Sequence, residues 1–172
     1  MNEAISSAPV RPAGDRRVTT RFAWDDGFAL GEERMDRTHR EFVHCVDALL
    51  TSDDEALEAA LAAFERHARA HFADEEEAMR VSRYDSARCH VDEHAAVLES
   101  LRQVKVALAQ GRAEVVRAFA VALADWFPGH TDVMDKGLAS WLARQRWGGS
   151  PIAISRAAAS CSPNQSAHRT SR

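Results

Sequence analysis

The sequence has few cysteines, no apolar segment of membrane-spanning length and no apolar run at its start. Its three cysteines, Cys45, Cys89 and Cys161, are odd in number and show no C-x-x-C spacing. This argues against a disulfide framework and favours a reducing cytoplasm. No uncharged apolar stretch approaches the roughly 20 residues that a membrane helix needs. The N-terminal segment carries Glu3 and does not fit a secretory signal. We therefore predict a cytoplasmic protein without a membrane span.

Aromatic residues, β-branched runs and glycine-rich loops are also scarce. Aromatic residues make up 7% of the 172 residues, whereas alanine and leucine are abundant. No glycine-rich phosphate loop and no internal repeat is found. Glycine and proline lie mostly toward the ends of the chain, so its middle should form long helices.

The central part of the chain has a net acidic charge. The formal net charge is −4, but residues 1–21 carry +2 and residues 148–172 carry +3, which leaves −9 for residues 22–147. An acidic domain gives no support for nucleic-acid binding. Neither tail has the apolar periodicity of a folded segment. We predict one domain at residues 22–147, flanked by disordered extensions.

Apolar residues recur at helical spacing in four segments, which predicts an all-α, up-down-up-down four-helix bundle. Ser52 begins an S-D-D-E capping box that should start the second helix. Gly111 suits the end of the third helix, and Pro128 should kink the fourth just before His130. The predicted helices lie near residues 35–51, 52–80, 86–110 and 112–144. An irregular apolar lead-in is expected to pack across the end of the bundle; it comprises Trp24, Phe28 and Leu30.

Two pairs of potential metal ligands lie one helical turn apart. His71 and Glu75 continue the apolar stripe of the second helix, and His90 and His94 begin that of the third. An ionised carboxylate within a core stripe is costly to bury unless it is paired or holds a metal. Imidazoles and a carboxylate aimed at one interior point therefore indicate a cation.

Three further residues extend this set and suggest a dinuclear site. His39 falls on the buried side of the first helix, and an aspartate near a kink can reach the same point as a histidine five residues before it. Five histidines and two carboxylates are too many for one tetrahedral zinc. Two octahedral irons offer about twelve positions. If the carboxylates and an oxygen atom bridge the irons, one position stays open for a small molecule. The candidate ligands are His39, His71, Glu75, His90, His94, His130 and Asp135.

Four motifs, in this order, resemble those of bacterial hemerythrin. They are M-D-x-x-H at Met35–His39, H-F-x-x-E-E at His71–Glu76, H-x-x-x-H at His90–His94 and H-x-x-x-x-D at His130–Asp135. The resemblance covers about residues 22–146 and implies a non-haem di-iron centre that binds O2 reversibly, without enzymatic turnover. It implies that the first two candidate histidines hold one iron and the other three hold the second, with both carboxylates and an oxo or hydroxo group as bridges. O2 would bind at the iron with fewer histidines.

The sequence departs from the family pattern around the last histidine. Thr131 stands where the family usually has a bulky aliphatic residue, and Pro128 and Gly129 before the histidine are also unusual. We predict that Trp126, Phe127 and Thr131 wall the O2 pocket. The Thr131 hydroxyl either faces the open iron position or bonds to the carbonyl of Phe127.

Other interpretations use the same site. A di-iron enzyme acting on O2, peroxide or nitric oxide is one alternative, although no positioned acid–base pair is recognisable. A sensor is another, but no attached signalling domain is evident. Ferritin-type chemistry would need Glu-x-x-His pairs on two helices, which the sequence lacks. Glu76, Glu77 and Glu93 are expected on a solvated face, and His67 is not expected to ligate. The oligomeric state stays open, with a monomer favoured.

Overall fold

The computed structural model describes residues 21–148, and within this range every regular element is a helix. Consecutive helices are joined by short links and pack against each other, and the fourth helix also packs against the first. The predicted four-helix bundle is thereby confirmed. The tails predicted to be disordered are residues 1–21 and 148–172. Apart from Arg21 and Gly148, they lie outside the described part of the chain. A short 3-10 turn (Asp26–Phe28) precedes α1 (Glu33–Thr51), α2 (Leu57–Ser82), α3 (Ala87–Ala109), α4 (Ala113–His130), a π-helical segment (Thr131–Asp135) and α5 (Lys136–Arg146).

The apolar stripes of the helices meet in a single core in which phenylalanine rings dominate one half. Phe42 of α1 stacks on Phe127 of α4 with ring centroids 4.7 Å apart, and Phe64 packs edge-on against Phe119. The stripes predicted for α1 and α2 are buried apart from Met35, which is half-buried. The apolar spacing of α3 predicts Leu98, Leu101 and Leu108 on its buried side. Leu101 is buried, but Leu98 and Leu108 are only half-buried, and the other buried apolar residues of the helix are Val97, Val104 and Ala107. The apolar face of α3 is thus turned by about one residue from the prediction.

The predicted capping box at Ser52 is wrong. Ser52 ends α1, and its backbone N–H bonds to the carbonyl of Ala48. The residue before α2 is Ala56, and no side chain caps the helix there. Asp53 stabilises the preceding turn instead, because its carboxylate accepts a 2.9 Å hydrogen bond from the N–H of Ala56.

The fourth rod of the bundle is α4, the π-helical segment and α5 in continuous succession. The helix runs through the exposed Pro128 without ending, and its irregularity follows His130 instead of preceding it. Pro128 lies on the exposed side of the helix, so its missing N–H does not end α4, and the interruption of regular α-helical hydrogen bonding comes after His130 and not before it. A π turn brings residues five apart onto one face, because its hydrogen bonds run from residue i to i+5. This turn gives His130 and Asp135 a common direction.

The lead-in before α1 packs on the bundle, as predicted. The Phe28 ring meets the Phe127 ring edge-on with centroids 5.4 Å apart, and Trp24 packs on Phe28. Asp36, the acidic residue of the M-D-x-x-H motif, accepts hydrogen bonds from the backbone N–H groups of Leu30 (2.6 Å) and Gly31 (3.2 Å). Its carboxylate thus fixes the entry to α1. None of the helices between residues 21 and 148 is both long and apolar enough to span a membrane.

Candidate metal centre

All seven predicted ligands converge inside the bundle, and each is at most 6% exposed. One side chain comes from α1, two come from one face of α2 and two from one face of α3. The last two flank the π turn, where His130 ends α4 and Asp135 ends the π segment. The structure brings together the whole predicted set: His39, His71, Glu75, His90, His94, His130 and Asp135.

The two oxygens of Glu75 point toward different histidines. Oε1 lies 3.0 Å from Nε2 of His71 and 3.9 Å from Nε2 of His39. Oε2 lies 3.3 Å from Nε2 of His94 and 3.5 Å from Nε2 of His90. One carboxylate therefore faces four of the five imidazoles and separates them into two pairs.

Asp135, at the end of the π-helical segment, also has its two oxygens directed at different histidines. Its Oδ2 lies 3.2 Å from Nε2 of His39, and its Oδ1 lies 3.0 Å from Nε2 of His90 and 3.3 Å from Nε2 of His130. The imidazoles thus form a group of two, His39 and His71, and a group of three that includes His130. Both carboxylates lie between these groups.

Many nitrogen and oxygen atoms of these seven side chains are buried close together but have no hydrogen-bond partner within residues 21–148. They include Nε2 of His39, His90, His94 and His130, Oε2 of Glu75 and both oxygens of Asp135. A buried polar atom without a partner costs about 1–3 kcal/mol. Two subsets have ligand atoms within 4.8 Å of one another, one made of His39, His71 and Glu75 and the other of Glu75, His90, His94 and His130. This donor set fits bound cations.

The electrostatics of the cluster favour positive charge. Burial is the largest single effect and would lower the pKa of His39 and of His90, but the close contacts of both rings with the carboxylates of Asp135 and Glu75 together raise both values to about 9. Burial would likewise raise the pKa of the two carboxyls, yet the surrounding imidazoles hold both well below their ordinary values. In the metal-free protein, protons on His39 and His90 therefore supply part of the positive charge that a bound cation would bring.

Sequence reasoning missed two carboxylates outside the cluster. Glu93, predicted on a solvated face, accepts a 2.7 Å hydrogen bond from Nδ1 of His130, so that prediction is wrong. Glu76, half-buried, lies 3.4 Å from Nδ1 of His94. Their partners are on other helices, so the spacing of residues within one helix could not predict these contacts. Glu77 is exposed and paired with Arg80, as expected for a solvated face.

Of the three residues predicted to wall the pocket, Phe127 and Trp126 contact imidazoles of the cluster, Thr131 follows His130 in the chain, and none of them lines the cavity described below. Phe127 is 1% exposed, and its ring meets that of His39 edge-on at 5.4 Å. The Trp126 ring lies 4.2 Å from the His130 ring at an angle of 30°. Thr131 is 2% exposed, and its hydroxyl has no hydrogen-bond partner among residues 21–148. The alternative in which this hydroxyl bonds to the Phe127 carbonyl is therefore wrong.

His67 lies beside the cluster without joining it. Its ring centroid is 5.7 Å from that of His71, and its Nδ1 is 3.7 Å from Oε2 of Glu41. Its burial, more than the positive charge of its neighbours, lowers its pKa to about 4. His67 therefore stays neutral near pH 7 and adds no charge to the site.

A cavity of about 650 Å³ reaches the cluster from one side of the bundle. It lies between the start of α1, the middle of α2 and α5, and it touches His71 and Glu75. Its apolar walls include Met35, Ala78 and Leu138. The cavity therefore leads to the group of two imidazoles and not to the group of three.

The fold and the cluster together define a helical bundle that binds cations in its core. The family model described as the hemerythrin HHE cation binding domain matches residues 30–142. The chain is also 32% identical over 122 residues to a bacteriohemerythrin of Ralstonia nicotianae, an alignment that covers 71% of this chain and 89% of that relative. No solved structure matches the chain. The chain belongs to the hemerythrin family, which confirms the resemblance seen in its four motifs.

Proposed function

We propose that this protein binds O2 reversibly at a non-haem di-iron centre and serves as an oxygen carrier, store or delivery protein. The observation that carries the proposal is the division of five imidazoles into groups of two and three by two carboxylates that face both groups. A single cation cannot use this arrangement, since the donors exceed six positions. Two irons bridged by Glu75 and Asp135 can use all of it. The similarity to a bacteriohemerythrin supports the same function.

In this proposal the seven side chains have distinct roles. His39 and His71 would hold the first iron, and His90, His94 and His130 would hold the second, with Glu75 and Asp135 shared between the two. When bound, the two ferrous ions would supply the electrons that O2 takes up and returns. The chain's own contribution is to orient these donors through rigid helices and to surround them with apolar side chains.

The surroundings of the first iron suit a small apolar ligand. Phe127 meets the His39 ring edge-on and is itself stacked on Phe42, so two buried aromatic rings cover the His39 side and exclude water from it. The cavity along Met35, Ala78 and Leu138 gives access to the His71 side. O2 is apolar and partitions into such a space more readily than ions do. The open position would therefore lie beside the apolar part of the cavity wall, which elsewhere carries charged residues such as Arg34 and Lys136.

The size of that cavity also favours a second candidate function. A volume of about 650 Å³ is far more than O2 needs and falls in the range of about 300–1,000 Å³ typical of sites for small organic molecules. A di-iron enzyme that activates O2 or peroxide toward such a molecule would use the same donors. Steady consumption of O2, instead of stoichiometric uptake, distinguishes it from a carrier.

The decisive experiment is a set of absorption spectra from one iron-loaded sample. The reduced protein, prepared without air, should contain two irons per chain, gain visible and near-ultraviolet charge-transfer bands on exposure to O2, and lose them when the gas is removed. A sample that saturates at one metal per chain would contradict the di-iron assignment. Bands that form and never reverse, with continued O2 uptake, would favour the enzyme.

Thr131 should control how long the oxygenated protein survives. Its buried hydroxyl has no hydrogen-bond partner within the described residues, so it attracts water to the wall of the site. Thr131→Val removes the hydroxyl at nearly constant volume and should slow decay of the oxygenated spectrum by several-fold, since about 1 kcal/mol corresponds to a factor of about five. Decay measured after rapid mixing with O2 tests this.

The matched control is Thr51→Val at the far end of α1. The Thr51 hydroxyl already bonds to the carbonyl of Asp47, so its loss should not alter the decay. Equal decay rates for wild type and Thr131→Val would mean that the hydroxyl does not bring water to the ligand.

A further inference from the structure

We propose that Glu93 is a positioning residue that locks His130 and Trp126 into one unit behind the metal centre. This inference rests on the proposed di-iron function but concerns a side chain outside the seven donors. Its basis is a single carboxylate oxygen, Oε2 of Glu93 on α3, which serves two donors on α4. That oxygen accepts from Nδ1 of His130 at 2.7 Å and from Nε1 of Trp126 at 3.1 Å.

The first contact fixes the tautomer of His130. A carboxylate only accepts hydrogen bonds, so Nδ1 must carry the proton, and Nε2 of the neutral ring is left with its lone pair. Nε2 is the atom that faces the cluster, 3.3 Å from Oδ1 of Asp135. Without Glu93 the ring could place its proton on Nε2, where it would oppose a cation. Glu93 therefore selects the form of His130 that can ligate.

The second contact fixes the ring plane of His130. Trp126 precedes His130 by one turn, and the two rings lie 4.2 Å apart at 30°. Because the indole N–H and the imidazole N–H meet at the same oxygen, rotation of either ring breaks a hydrogen bond. The tryptophan thereby serves as a clamp on the histidine, which explains why a half-buried residue has a polar partner on another helix.

The position of His130 in the chain explains the need for this clamp. Its backbone is helical, but it follows Pro128, which lacks one helical hydrogen bond, and Gly129, which favours the helix least, and it immediately precedes the π turn. The corresponding contact at His94 is weaker, because Glu76 lies 3.4 Å from its Nδ1. Glu93 supplies by side-chain contacts what the local backbone lacks.

The test measures iron retention, which does not depend on O2 binding. Glu93→Ala in the iron-loaded full chain should accelerate transfer of iron(II) to an excess of a coloured chelator by about 10- to 100-fold, the usual effect of losing such a partner of a metal-bound histidine. Glu93→Gln keeps an acceptor oxygen and should show a smaller acceleration. The matched control is Asp92→Asn, which removes the same charge from an exposed neighbouring position and should leave the rate unchanged.

A double-mutant cycle distinguishes the clamp from a simple loss of charge. Trp126→Phe keeps a ring against His130 but removes the N–H, and it should accelerate iron release only while Glu93 is present. The ferric absorption bands should shift in Glu93→Gln and not in Asp92→Asn. Independent, multiplicative effects of the Trp126 and Glu93 variants, or equal rates for Glu93→Gln and Asp92→Asn, would overturn the proposal. A wild-type chain that takes up no iron would refute the proposed function itself.

Discussion

Replacing Glu75 by alanine should abolish stable metal loading and lower the free energy of unfolding by about 3–5 kcal/mol, the usual result of removing one partner from a buried charged pair. Glu75 is 6% exposed, and its oxygens lie within 3.9 Å of four imidazoles. Without it, the proposed irons would lose a shared ligand, and the Nε2 atoms of His71 and His94 would lose the carboxylate nearest to them. Metal per chain by elemental analysis and thermal unfolding with and without iron check both parts.

Two companion variants separate the causes of this loss. Glu75→Gln keeps the shape but not the charge, so it should also fail to hold two irons while losing less stability. Glu77→Ala is the matched control, because Glu77 lies two residues away on the same helix, is exposed, and pairs only with Arg80. It should be nearly silent. Similar losses in the Glu75 and Glu77 variants would contradict the central position of Glu75.

Cation affinity should rise with pH by up to about a hundredfold per unit below pH 9, if one proton leaves each of two histidines on binding. In the metal-free protein the pKa values of His39 and His90 are raised from 6.5 to about 9, because Asp135 and Glu75 outweigh the effect of burial. A cation must displace both protons. Competition titrations with a chelator of known affinity at several pH values, with proton release measured in weak buffer, check the slope.

The stability of the metal-free protein should change in the opposite direction. Groups whose pKa is raised on folding stabilise the folded state fully below their unfolded value, here 6.5, and this stabilisation is lost as the pH approaches 9. The melting temperature of the metal-free protein should therefore fall between pH 6.5 and 9. With iron at a fixed concentration it should fall less or rise over the same range. A flat profile without metal would show that His39 and His90 are neutral near pH 7.

Part of this structure follows from local pattern, which the sequence carries directly. The buried faces of α1 and α2 were predictable because apolar residues at helical spacing must share one side of a helix. His71 and Glu75, or His90 and His94, are one turn apart, so their common direction required only that each segment be helical. The charge of Glu75 within an apolar stripe already indicated a cation, since burial of an unpaired carboxylate is costly.

What the sequence alone determined is therefore the four helical segments, the core faces of α1 and α2, and the seven candidate donors that point into the core. The tertiary structure decided the features that depend on a second helix. The five-residue spacing of His130 and Asp135 became one face only through the π turn, and the division of imidazoles between two carboxylates required all the helices in place. Glu93 looked like a surface residue because its partners, Trp126 and His130, are more than 30 positions away in the chain. Helical periodicity specifies which side of one helix is buried, but contacts between helices depend on how those sides are turned and packed against each other.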